Sequence, residues 1–124
     1  MTLPMPERTF RKLLAPAFAG PIPDGYADAV WQGWRRPPTR AAVRRFYRSN
    51  DDRDWAEAER ALPALAGEPA LVLWGDRDRL ITGKVADRIG EALGGRVARL
   101  PAGHFPMVEV PDAVLAELRP FLAA

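Results

Sequence analysis

The chain contains one histidine, His104, in the stretch Pro101-Ala102-Gly103-His104-Phe105-Pro106. Upstream lies Gly75-Asp76-Arg77-Asp78, which offers two carboxylates. A carboxylate that accepts an imidazole N–H fixes the ring's tautomer and stabilises the imidazolium. The second ring nitrogen is then available as a general base. Acid and histidine are two thirds of a nucleophile–histidine–acid triad. The remaining third has no candidate here. No Gly-x-Ser-x-Gly occurs, and the only serine, Ser49, stands in Tyr47-Arg48-Ser49-Asn50, after an expected helix rather than between a strand and a helix.

The elements around these residues suit a site. The apolar run Ala70-Leu71-Val72-Leu73-Trp74, bounded by Pro69 and Gly75, predicts a strand buried on both faces. Thr82 is expected to cap a helix to about residue 93, with Val85, Ile89 and Leu93 inward and Gly94-Gly95 ending it. Arg96-Val97-Ala98-Arg99-Leu100 reads as a second strand. A last helix over about 112–122 packs Val114, Leu115, Leu118 and Phe121. Strand, helix, strand, helix is a parallel βαβ unit. Both chemistry-bearing loops then leave the carboxyl ends of adjacent strands, where open parallel sheets build their sites. Turn chemistry is the rival reading for Asp76 and Asp78, and a structural loop role for His104. Their pairing at two strand ends favours the functional reading.

The first half has a different grammar. Residues 1–25 are rich in proline (Pro4, Pro6, Pro16, Pro21, Pro23) and read as irregular, with a short helix over about 7–14. A helix from 25 or 26 to about 34 puts Tyr26, Val30 and Trp34 on one face, with Ala27 and Trp31 beside them. Pro37 and Pro38 are expected to stop it. Thr39 is expected to cap a helix to about 48 with an apolar stripe of Val43, Phe46 and Tyr47 and a basic face of Arg40, Arg44 and Arg48. A third helix from Asp51 or Asp52 to about 62 or 65 is expected to bury Trp55, Ala58, Leu62 and Leu65.

At this point the chain resembles the α/β-hydrolase superfamily. The similar stretches are Pro69-Ala70-Leu71-Val72-Leu73-Trp74-Gly75-Asp76-Arg77-Asp78, then Leu100-Pro101-Ala102-Gly103-His104-Phe105-Pro106, then Glu109-Val110-Pro111 and the closing helix, with the acid before the histidine as in that family. The resemblance implies that Asp78 is the triad acid, His104 the general base and Asp76 a loop residue. It implies an α/β fold class: a partial α/β-hydrolase fold, with residues 1–66 a helical cap-like segment and 67–124 a parallel βαβα unit of the core. Arg45-Phe46-Tyr47-Arg48-Ser49-Asn50 is similar to a stretch in epoxide-hydrolase and haloalkane-dehalogenase relatives. By that resemblance Tyr47 is a substrate-facing donor, with half-buried packing as the rival reading. Trp31 and Trp34, with Phe46, suggest an apolar pocket wall, again against simple packing. The implied reaction is hydrolysis of an ester, epoxide or carbon–halogen bond, with no cofactor. The early strands, the oxyanion-hole loop and the nucleophile elbow of the family are missing from the sequence. The expectation is therefore a chain that is incomplete, or inactive alone.

Composition narrows the rest. The 124 residues are 48% hydrophobic and 27% charged, as in a globular protein, and one domain or a piece of one fits in that length. With no cysteine and one histidine, disulfides and thiolate metal sites are excluded, and no carboxylate cluster replaces them. Residues 1–50 hold nine Lys/Arg against three Asp/Glu, and residues 51–124 nine against thirteen. The basic charge lies on one helix face without interleaved aromatics, so nucleic-acid binding is not expected. No h-region or membrane-length apolar run exists, so no membrane partner and a cytoplasmic location are expected. Two strands alone cannot form a sheet buried on both faces. The expected partners are a small apolar substrate, if an N-terminal half completes the fold, and a homodimer or partner chain at the open sheet edge. A non-catalytic, hydrolase-derived interaction module is the alternative.

Overall fold

The computed structural model describes residues 5–49 and 52–123. Four helices come first: α1 (Glu7–Leu14), α2 (Tyr26–Trp34), α3 (Pro37–Ser49) and α4 (Asp52–Ala61), with 3-10 turns at Ala15–Ala17 and Leu62–Leu65. Then follow β1 (Leu71–Gly75), α5 (Lys84–Leu93), β2 (Arg96–Leu100), the short α6 (Pro106–Glu109) and α7 (Pro111–Leu122). Among the described residues, the strands form one two-stranded sheet. They run parallel, in register from Leu71 opposite Arg96 to Gly75 opposite Leu100.

Side-chain contacts assign the two faces of that sheet. A Cβ on Gly90 of α5 would run into the Val97 side chain, and Arg99 reaches the Gly83 carbonyl at 2.8 Å and ion-pairs with Asp87. Val97 and Arg99 therefore face α5. Arg96, of the opposite parity, reaches α7, where it bonds Glu117 at 2.6 Å. Alternation along the strand produces this division.

Several expectations are corrected. Leu71 to Trp74 are only half-buried, not buried on both faces, because β1 pairs with β2 alone among the described residues. Pro37 and Pro38 do not merely follow a helix; they open α3, in the first turn, where a missing N–H costs nothing and φ is already helical. Thr39 is thus inside the helix rather than its cap. Phe46 and Tyr47 are 57% and 73% exposed, so the expected apolar stripe of α3 stays mostly uncovered, with Val43 half-buried. Ala58 and Leu65 are exposed and Leu62 is half-buried; α4 begins at Asp52, one of the two expected starts, while Asp51 and the side chain of Trp55 lie outside the described residues. Gly83, not Thr82, is the N-cap of α5, while Thr82 Oγ1 accepts the Lys84 N–H at 3.2 Å in the turn before it. Leu115 of α7 is 43% exposed, whereas Val114 is buried.

The buried apolar residues are few and mostly small: Ala17, Phe18, Ala27, Ala86, Ala98, Leu100, Ala102 and Val114. They gather around β2 and the loop that follows it. The helical half joins this core through residues 17–19 and α2. Phe18, 2% exposed, packs its ring on Tyr26 and Phe105, each with centroids 5.5 Å away. On the outer side, Phe10 of α1 packs against Trp31 and Trp34 of α2 at 5.4 and 5.8 Å, and Arg11 ion-pairs with Asp28. No helix among the described residues is long and apolar enough to cross a membrane.

Candidate active site

The loop after β1 and the loop after β2 lie side by side because glycine lets them. A Cβ on Gly75 would fall on the Gly103 carbonyl oxygen, and one on Gly103 would come within 2.6 Å of the Ala17 oxygen and 2.7 Å of the Ala19 nitrogen. All of these are backbone atoms that cannot swing away. The loops are further stitched by Asp76 N–H to Leu100 O at 2.8 Å and Arg77 N–H to Ala102 O at 3.0 Å.

Asp78 and His104 meet across this junction. Oδ2 of Asp78 stands 2.9 Å from Nδ1 of His104. Oδ1 accepts the backbone N–H groups of Leu80 at 2.8 Å and Ile81 at 3.0 Å. The carboxylate is 4% exposed and the imidazole 30%. Burial pushes the Asp78 carboxyl up; the His104 hydrogen bond and the Ile81 and Leu80 amides together outweigh it. The net position is below the ordinary carboxylate value, so the group is held as the anion. An anionic carboxylate only accepts, hence Nδ1 carries a proton, and in the neutral ring Nε2 then presents its lone pair. No hydrogen bond from the described residues engages Nε2. This is the arrangement a general base needs.

Asp76 takes no part. Its side chain is half exposed and lies 3.9 Å from Arg77, not at the imidazole. The other side chains singled out in the sequence also lie elsewhere. Trp31 and Trp34 pack on Phe10. Trp34 and Tyr47 share a groove of about 450 Å³ with Met5, Val43, Arg40 and Arg44. Trp34 stands eight residues along α2 from Tyr26, about 12 Å at 1.5 Å per residue, whereas Tyr26 itself is 6.3 Å from the Phe105 ring. The ring packed on His104 is that of Phe105, at 5.0 Å in an edge-on arrangement, and Phe105 packs in turn on Phe18 and Tyr26.

One residue beside the site was not anticipated. Glu109, at the end of α6, accepts the Gly103 N–H on Oε1 at 2.8 Å and the Ala19 N–H on Oε2 at 2.7 Å. The signal was a single acid inside the apolar stretch Phe105-Pro106-Met107-Val108-Glu109-Val110. Such an acid needs partners if it faces inward. Among the described residues, no three His, Cys, Asp or Glu side chains gather as a metal site requires.

Comparison with known proteins gives a family match. Residues 2–118 match the model of the Alpha/beta hydrolase family, the helical first half included. No curated protein and no solved structure matches the chain. A family match over that span, on a chain whose two strand-end loops bring an acid to its only histidine, establishes that the chain belongs to the alpha/beta hydrolase family.

Proposed function

We propose that this chain carries the acid and the histidine of a hydrolase active site, for hydrolysis of an ester, epoxide or carbon–halogen bond through a covalent enzyme intermediate. The observation behind the reading is the 2.9 Å bond from His104 Nδ1 to a carboxylate whose other oxygen is already committed to two amides. In the serine version, an attacking water gives a proton to His104 Nε2 while its oxygen bonds to the acyl carbon. The bond to the enzyme's nucleophile then breaks, and the imidazolium, stabilised by Asp78, returns the proton to the departing oxygen. Residues 1–66 form the cap and 67–124 the end of the core. Leu80, Ile81 and Met107, exposed at 54%, 40% and 59%, flank the pair in sequence and offer an apolar surface to a small apolar substrate. Trp31, Trp34 and Tyr47 belong to the outer part of the cap.

The nucleophile and oxyanion donors come, in this reading, from residues other than these 124 or from a partner chain. Its support is the lack of any elbow motif and the half-exposed apolar residues of β1, which pairs with β2 alone among the described residues. The test is to read the DNA upstream of Met1 for an in-frame Gly-x-Ser-x-Gly or Gly-x-Asp-x-x-Gly segment and to express it joined to, or together with, this chain. Hydrolysis of p-nitrophenyl acetate or styrene oxide should appear and fall at least about 10³-fold in His104→Ala. Equal turnover in His104→Ala would contradict the role. His104-dependent turnover by the isolated chain would contradict incompleteness.

The edge of β1 that pairs with no strand among the described residues also favours a second reading, a non-catalytic module that pairs with another chain. Light scattering after size-exclusion chromatography separates the two. An obligate dimer without hydrolysis supports the module, and a well-folded monomer argues against it.

A further inference from the structure

We infer that Glu109 is a positioning residue for His104, a clamp that fixes the backbone on both sides of the histidine loop. The inference rests on the reading of His104 as the general base. Its starting point is that Glu109 spends both carboxylate oxygens on backbone amides of two remote segments, Gly103 six residues away and Ala19 ninety residues away. Neither amide lies in a helix or strand, so no regular ladder would serve them otherwise.

The clamp closes on a tight stack. His104 donates its own N–H to the Ala17 carbonyl at 2.7 Å. Three hydrogen bonds thus join the 17–19 segment, the 103–104 backbone and Glu109. Gly103 lies so close to that segment that a methyl group there would strike Ala17 and Ala19 backbone atoms. Phe18, buried between them, packs against Phe105, the residue after the histidine. A charged acceptor makes these amide bonds stronger than a neutral one would.

The consequence concerns the imidazole. Asp78 holds the ring through one hydrogen bond, which sets its tautomer but only part of its position. The rest depends on where the backbone of residue 104 sits, and Glu109 with Ala17 determines that. A shift of about 1 Å in the loop is enough to lengthen a 2.9 Å bond beyond use. The clamp also couples the helical half of the chain to the base, since one of its jaws is the segment that leads into α2.

Nuclear magnetic resonance of the full chain tests this without needing turnover. In the wild type, the Ala19 and Gly103 amides should exchange slowly, and the His104 ring nitrogens should report a proton on Nδ1. Glu109→Gln keeps the shape and one acceptor oxygen but turns an NH2 group toward one of the two donors. It should raise exchange at Ala19 or Gly103 at least about tenfold and shift the His104 ring nitrogens toward mixed tautomers. If Glu109→Gln lowers the urea midpoint yet leaves the ring nitrogen shifts at their wild-type values, Glu109 is only structural and the proposal is wrong. Glu109→Ala should show the same changes more strongly. Should it fail to fold, the wild type and Glu109→Gln still decide, because an unprotected Ala19 amide in the wild type overturns the clamp. Loss of the hydrolase reading would show in the turnover assay with these signals unchanged.

Discussion

Asp78 and His104 lie 26 residues apart and meet through one 2.9 Å hydrogen bond, made by an oxygen the local turn does not need. Oδ1 of Asp78 closes the turn to Leu80 and Ile81; Oδ2 is left for the imidazole. Turn chemistry and an acid's role in a triad were rival readings of this residue. The carboxylate has two oxygens, and its geometry is compatible with both: one closes the turn and the other reaches the imidazole. The amides also pre-orient it, so the oxygen facing His104 arrives with its direction set.

The depressed carboxyl of Asp78 makes part of the fold's stability pH-dependent. Its folded value lies below its unfolded one, so the unfolded chain binds more protons over the interval between them. The contribution is therefore fully present above the ordinary carboxylate value of about 4 and is lost as pH falls through the folded value below it. Urea unfolding of wild type and Asp78→Ala should show a stability difference that is flat above about pH 5 and shrinks toward pH 3. A difference that stays constant down to pH 3 would mean the carboxylate is not held by these bonds.

Gly75→Ala should disturb the site through packing alone. Its methyl group would fall on the Gly103 carbonyl, forcing the loops after β1 and β2 apart. A loss of about 1–3 kcal/mol in urea unfolding is expected, together with a changed His104 ring environment. Gly20→Ala is the control, since nothing lies within 4 Å of its added methyl group. It should stay within about 0.5 kcal/mol of wild type. Equal effects at the two positions would refute the close approach.

Phe18→Ala should be among the costliest single changes. The ring is 2% exposed and joins Tyr26 of the helical half to Phe105 beside His104. Truncation of a buried phenylalanine costs about 3–5 kcal/mol. Calorimetric or urea unfolding reads the loss, and a change under 1 kcal/mol would mean that residues 17–19 do not dock on the histidine loop.

How much of this was legible in the sequence follows from where each signal resides. The strands at Leu71–Gly75 and Arg96–Leu100 follow from local apolar patterning and their glycine and proline boundaries. The two site loops follow from those strands. Asp78 could be ranked over Asp76 only by resemblance, because which of two nearby carboxylates turns inward depends on loop geometry. Phe46 and Tyr47 show the opposite case. Their spacing on α3 is that of a buried stripe, yet 57% and 73% of their surface is exposed, since periodicity names a face without supplying something to cover it. Phe18 and Glu109 have contacts hidden for a third reason, although a lone acid in an apolar stretch signals that Glu109 needs partners. Their partners include residues some ninety positions away, and nothing local in a proline-rich segment or a one-turn helix announces such contacts.

The central claim is that Asp78 holds His104 with its proton on Nδ1 and its Nε2 lone pair free. Nitrogen-15 spectra of the His104 ring at neutral pH measure this directly in wild type and Asp78→Ala. A predominantly Nδ1-protonated ring in the wild type, replaced by a mixture or by the Nε2-protonated form in Asp78→Ala, is the predicted result. An Nε2-protonated ring in the wild type, or a tautomer ratio unchanged by Asp78→Ala, would contradict it.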